Sequence, residues 1–144
     1  MWRARVLLGL LVCLVACAQD PPAPTLPVSS HRLVEDWPKL PAGVQFGKVL
    51  AVAVHPDGRV FVAHDAGHGS PNRQPIPEAP IFVLDPQSGE LLQTLGAGLF
   101  RYPHGLNFDS AGRLWVTDSD ADRVVRLDEN GQIDLVLGGH ACSG

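Results

Sequence analysis

Gly58 opens the run GRVFVAHD, and Gly112, 54 residues later, opens GRLWVTD. A second echo joins IFVLDPQSGELL at Ile81 to VVRLDENGQIDL at Val124, 43 residues apart. The difference of 11 places an extra loop in the first copy, somewhere in Gly67 to Pro80. Such self-similarity constrains a chain more than its composition does. Each copy must be one structural unit that buries its apolar faces on its neighbours.

The unit is made of strands. Eight short β-rich runs are expected, at Val49–Val54, Val60–Ala63, Ile81–Leu84, Leu91–Leu95, Gly105–Phe108, Leu114–Thr117, Val124–Leu127 and Ile133–Leu137. Turn formers separate them: Pro56-Asp57-Gly58, Asp85-Pro86, Ser88-Gly89, Asp109 to Gly112, and Asn130-Gly131. A four-strand unit of about 43 residues is the signature of a propeller blade. The expected fold class is therefore all-β, a β-propeller with about two four-stranded blades present. Closed propellers hold roughly four to eight blades. Two leave sheet faces and edges uncovered, so the chain reads as a fragment or truncated form of a larger ring, with an assembling subunit as the alternative.

The first 16 residues read as a targeting segment. Arg3 and Arg5 supply the positive end, and Val6 to Ala16 is an apolar run short for a bilayer span. It closes on Leu14-Val15-Ala16-Cys17, which resembles a bacterial lipoprotein signal with lipid on the Cys17 sulfur. An ordinary secretory signal cut near Ala16 or Ala18 is the alternative. Residues 17–33 form a tether, stiffened by Pro21, Pro22, Pro24 and Pro27, and residues 34–144 form the partial propeller. The expected location is outside the cytoplasm, anchored to the membrane. Because Ala18 rather than Asp follows Cys17, the resemblance points to the periplasmic side of the outer membrane or to the cell surface.

Charge and cysteines exclude several classes. The formal net charge is −4, and −6 without Arg3 and Arg5. No basic patch is left to neutralise phosphates, so nucleic acid is not an expected partner. Of the three cysteines, Cys13 leaves with the signal, Cys17 carries lipid and Cys142 stands alone. No disulfide framework and no C-x-x-C zinc pair is available.

The stretch from Ala79 to Asp128 holds Leu91-Leu92-Gln93, Leu99-Phe100, Pro103-His104-Gly105-Leu106 and Trp115-Val116-Thr117-Asp118. With Asp36-Trp37-Pro38 and Val52-Ala53-Val54-His55-Pro56, it resembles the lyase domain of peptidylglycine α-amidating enzymes and its bacterial relatives, which contain NHL-type repeats. The resemblance spans roughly residues 34–138. It implies a six-bladed propeller that splits a peptidyl-α-hydroxyglycine into a peptide amide and glyoxylate, with zinc and calcium as cofactors and a peptide or small-molecule substrate in the central channel.

By that resemblance His104 is a zinc ligand, one of three histidines from different blades. Three ligands leave one position open for substrate or water. A hydrogen-bonded turn histidine is the plainer alternative. Val52 and Leu106 stand at the family's calcium-binding backbone carbonyls. Their separation of 54 residues repeats that of the two glycines, and carbonyl oxygen suits a hard cation. The other two zinc histidines, the calcium carboxylate and the catalytic Tyr are expected beyond Gly144. One departure stands out. Asp65, after His64, occupies the place of the family's active-site Arg, and so reverses the charge that would grip a substrate carboxylate. Either the alignment slips there, another base such as Arg73 substitutes, or the member is a poor lyase. Rival readings are a non-catalytic NHL-type binding or scaffold propeller and another propeller enzyme such as a lactonase.

Two weaker signals read as loop polarity. Asp118-Ser119-Asp120-Ala121-Asp122, with Glu129 at the twelfth place, resembles a calcium loop, but Arg123 holds the place where glycine is needed. An inter-strand turn is expected there instead. His64, Asp65 and His68 lie within five positions. They read as a polar loop mouth, with a secondary metal site as the alternative.

Overall fold

The computed structural model of the chain describes residues 31–128 and 130–139. The signal segment, Cys17, most of the tether, Glu129, His140 and Cys142 lie outside the described residues. Eight strands follow in chain order: β1 Val49–Val54, β2 Val60–His64, β3 Ile81–Leu84, β4 Leu91–Leu95, β5 Pro103–Phe108, β6 Leu114–Asp118, β7 Arg123–Leu127 and β8 Ile133–Gly138. They form two antiparallel sheets in meander order, β1-β2-β3-β4 and β5-β6-β7-β8. The described residues contain no α-helix. The protein is all-β, and its two sheets are successive blades of a β-propeller.

Alternation builds the contact between blades. Ala51, Ala63, Ile81 and Leu95 share one row of the first sheet, and Phe61 and Val83 share the next. Side chains two apart on a strand point to one face, so these rows face the second sheet. They meet Leu106, Val116 and Val125, then Phe108, Leu114 and Leu127, in one continuous core. The sheets approach most closely at β1, β2 and β5. The first strand of each blade therefore lies on the inner side of the wedge.

The outer face of the first sheet is partly roofed by the segment before β1. Trp37, Leu40 and Phe46 pack on Val62, Phe82 and Leu84. Lys39 reaches across to the β3–β4 turn, donating its N–H to the Gly89 carbonyl at 2.8 Å. Val52 and Val54, at the inner end of that face, stay exposed. The extra loop of the first copy is also packed. Ile76 is buried and exchanges backbone hydrogen bonds with Phe100 and Gly98. Asp120, in the β6–β7 turn, accepts from the Ser70 hydroxyl at 2.8 Å and the Asn72 N–H at 2.5 Å.

The repeat is kept with one change of register. Strand pairing holds the 54-residue offset through β1/β5 and β2/β6 and the 43-residue offset through β3/β7. Past the next turn the offset becomes 42, since Leu84 pairs with Leu91 while Leu127 pairs with Ile133. The second copy has the shorter turn. Gly89 and Gly131 hold corresponding positive φ angles of 77° and 76°, a conformation open to glycine at little steric cost.

Each blade closes its inner strand with a side-chain acceptor from the end of its second strand. In blade two, Asp118 is fully buried and accepts from the Tyr102 N–H at 2.9 Å and the Arg101 N–H at 3.2 Å. Arg123 completes the cluster, donating to Asp118 Oδ2 and to the Leu99 carbonyl. In blade one the same two amides, now Gly47 and Lys48, are held by His64 Nδ1 at 3.1 Å and Asp65 Oδ1 at 2.7 Å. A buried carboxylate with these partners cannot be removed cheaply, because two N–H groups and a guanidinium lose their acceptor. Asp118→Ala is expected to lower unfolding stability by about 3 kcal/mol, read as a lower urea midpoint at unchanged slope.

Candidate functional site

His104 occupies a β-bulge. On β5, Pro103 pairs with Asp118 and Gly105 with Thr117, so His104 is the extra residue between them. The equivalent bulge on β1 falls between Val49 and Ala51 and holds Leu50. Bulges re-aim a side chain and recur beside active sites. This one explains why β5 starts at Pro103, two residues before the expected strand. Proline suits a strand's first position, and the bulge absorbs the residue that alternation would have turned to the other face. The His104 imidazole is exposed and lies 5.7 Å from the Tyr102 ring, centroid to centroid. Neither of its nitrogens has a hydrogen-bond partner among the described residues.

The hairpins fix where the inner-strand carbonyls point. His55 donates its N–H to the Arg59 carbonyl at 2.9 Å, and Asp109 donates to Arg113 at 3.1 Å. In an antiparallel ladder, hydrogen-bonded and non-bonded pairs alternate. Counting back from those closures, Val52 opposite Val62 and Leu106 opposite Val116 are non-bonded pairs. Their N–H and C=O groups point away from the neighbouring strand, toward the unpaired inner edge. Val52 is 58% exposed and Leu106 is half-buried against the core. Two equivalent carbonyls and the His104 bulge thus lie along the inner strands.

Asp65 and His64 sit differently from free site residues. Asp65 is 4% exposed, and Oδ1 accepts from both the Lys48 and Gly67 N–H groups. Burial raises its pKa, but the Gly67 and Lys48 amides outweigh that and hold the carboxyl below its ordinary range. A Cβ at Gly47 would lie 2.2 Å from Asp65 Oδ1, so glycine is required at 47 for the carboxylate to sit there. The structure therefore puts no cation at this point but a loop anchor. His64 is 2% exposed, and Nδ1 accepts from Gly47 and Ala66, both at 3.1 Å. Its ring stands edge-on to Phe82 and Phe46, and Nε2 has no partner. His68 turns instead to Glu78, 2.8 Å away. Among the described residues no group of three or more His, Cys, Asp or Glu gathers as a metal cage. The carboxylates of the Asp118–Asp122 run are likewise divided: Asp118 faces inward to the strand amides, and Asp120 outward to the extra loop.

The NHL repeat profile matches residues 100–127, which contain the bulge, His104 and Leu106. Peptidyl-α-hydroxyglycine α-amidating lyase 2 of Drosophila melanogaster is 36% identical over 110 residues, covering 67% of this chain and 27% of that protein. Peptidyl-glycine α-amidating monooxygenase A of Xenopus laevis is 32% identical over 119 residues, covering 74% of this chain and 12% of that one. The chain is an NHL-repeat relative of the α-amidating lyases. It spans about a quarter or less of the length of these two relatives. Among solved structures, virginiamycin B lyase from Staphylococcus aureus aligns at a TM-score of 0.43 and 16% identity, over 62% of this chain and 27% of that one.

Burial also makes the His64 contacts sensitive to acid. Burial lowers the imidazole pKa from 6.5, opposed by the negative charge of Asp65. The folded state thus holds His64 neutral, and the unfolded chain binds its proton first. The stability this gives is whole above about pH 6.5 and is lost as the pH falls from there toward the folded pKa. A protonated ring also cannot accept from Gly47 and Ala66. The urea midpoint is therefore expected to fall between pH 7.5 and pH 5, with a clearly shallower fall in His64→Gln.

Proposed function

We propose that the chain contributes two blades of a zinc-dependent lyase that cleaves peptidyl-α-hydroxyglycine to peptide amide and glyoxylate. The reading is supported above all by the His104 bulge, which presents an imidazole with no hydrogen-bond partner among the described residues on the inner strand of an amidating-lyase relative. A neutral imidazole suits zinc. Val52 and Leu106 would lend backbone oxygen to calcium, a fit supported by the phase of the two ladders. Zinc, when bound, would supply Lewis-acid polarisation of the substrate hydroxyl. This chain's own part is to orient the ligand imidazole, with Pro103 and Gly105 fixing the backbone on either side. A peptidyl or other small-molecule substrate would lie along the inner strands, and the Cys17 lipid would anchor the protein on the periplasmic side of the outer membrane or at the cell surface.

A second reading rests on one observation. Asp65 is bound up with loop amides at the place where the resemblance calls for an Arg, so no guanidinium grips the substrate carboxylate there. A non-catalytic NHL-type binding propeller accommodates that directly.

Cobalt(II) separates ligand from bystander. Titrated into the chain and followed by NMR, it is expected to shift and broaden the His104 ring resonances before those of His55, His64 and His68, and His104→Ala should remove that first phase. His104 resonances that stay unmoved while another histidine responds would overturn the metal assignment. Retained metal binding with no release of glyoxylate from a hydroxyglycine peptide by the ring-completed protein would select the binding propeller.

A further inference from the structure

At the far end of the wedge from His104 the blades part to leave a cleft. Its volume is about 660 Å³, within the range of small-molecule sites. Phe61, Leu114 and Leu127 form a buried floor. His55 and Phe108 close the axial side, their rings edge-on at 4.9 Å, and Phe108 stands edge-on to Phe61 at the same distance. The two blades touch at the rims: a Cβ on Gly112 would lie 3.2 Å from His55 Nε2, and one on Gly131 would lie 2.7 Å from Leu95. This apolar cup belongs to both blades and to neither alone.

The polar groups at its mouth are unevenly committed. Each β-hairpin brings one arginine, Arg59 and Arg113, at equivalent places of the repeat. Each uses only Nε in a side-chain hydrogen bond, at 2.8 Å to Asp57 and to Asp109. Their terminal nitrogens have no hydrogen-bond partner among the described residues. The carboxylates around them are engaged by protein donors. Asp57 accepts from the Arg59 N–H as well as its Nε, and that backbone bond first, with His55 and the guanidinium, lowers its pKa to about 2. Asp109 accepts from the Ala111 and Arg113 N–H groups, from Arg113 Nε and from Trp115 Nε1. Asp128 is occupied by the Asn130 and Gln132 amides, and Asp134 by Arg126. The terminal nitrogens of Arg59 and Arg113 remain as donors at the mouth.

We propose that this cleft binds a small amphipathic carboxylate, its apolar body on Phe61, Phe108 and Leu114 and its carboxylate on the terminal nitrogens of Arg59 and Arg113. Guanidinium groups match carboxylates through paired donors, and the pinned Nε atoms hold both forks in place. The site lies apart from the edge that carries His104, so its occupancy does not depend on the lyase reading.

The test uses 3-phenylpropionate with the full chain, followed by amide NMR shifts. Saturable shifts are expected at residues 55, 59, 112 and 113, and they should persist in His104→Ala. 3-Phenylpropionamide, which keeps the ring and loses the charge, should bind at least about tenfold more weakly, as should 3-phenylpropionate to Arg59→Gln or Arg113→Gln. Acetate should give no saturable shift. Equal binding of acid and amide, shifts located elsewhere, or arginine variants that bind as the parent does while keeping its urea midpoint would each overturn the assignment.

Discussion

An inner strand of this wedge has a partner on one edge only, and everything placed along it depends on how its start is fixed. The second strand of each blade solves this with a side chain at its last position, or the residue after it, that takes up the two amides leading into the first strand. Asp118 does so alone in blade two, and His64 with Asp65 shares the task in blade one. With entry and hairpin both fixed, the strand between has no freedom of register. The bulge at His104 and the outward phase of the Val52 and Leu106 carbonyls follow from those two anchors.

The packing between blades completes the argument for why this edge is open. One face of each sheet goes into the shared core, where Phe61, Ile81, Val116 and Val125 are buried. The other face of the first sheet is roofed by Trp37, Leu40 and Phe46. The roof stops short of the inner strand, and Val52 and Val54 remain accessible there. Hydrophobic burial thus stabilises the body of each blade, while the strand that carries the candidate ligands meets solvent on its free edge.

Much of this was legible in the sequence because it is periodic. The two copies and the position of the extra loop follow from offsets between like residues, the eight strands from β-rich runs between turn formers, and the strand ends differ by only one or two positions. What escaped was whatever depends on a single residue breaking a period. Nothing in Pro103-His104-Gly105 announces a bulge, since the residue it adds is seen only once β6 is laid alongside. The shorter turn after β7 hid within an ungapped match. Asp65 read as a charge reversal in a site, because its use by the amides of residues 48 and 67 is a tertiary fact. One signal was available and unread: His64 and Asp118 stand at the same place in the repeat, which marks both as serving the local fold.

The extra loop gives the repeat boundary an unexpected character. Ile76 is seated by Gly98 and Phe100, on the connection into the second blade, and Ser70 and Asn72 are tied to Asp120 beyond β6. The longest excursion of the first blade is thereby ordered by its successor. Although the gene reads as two copies in series, the molecule has no seam between them. A split at the junction would leave the upstream half with an apolar loop and nothing to close over.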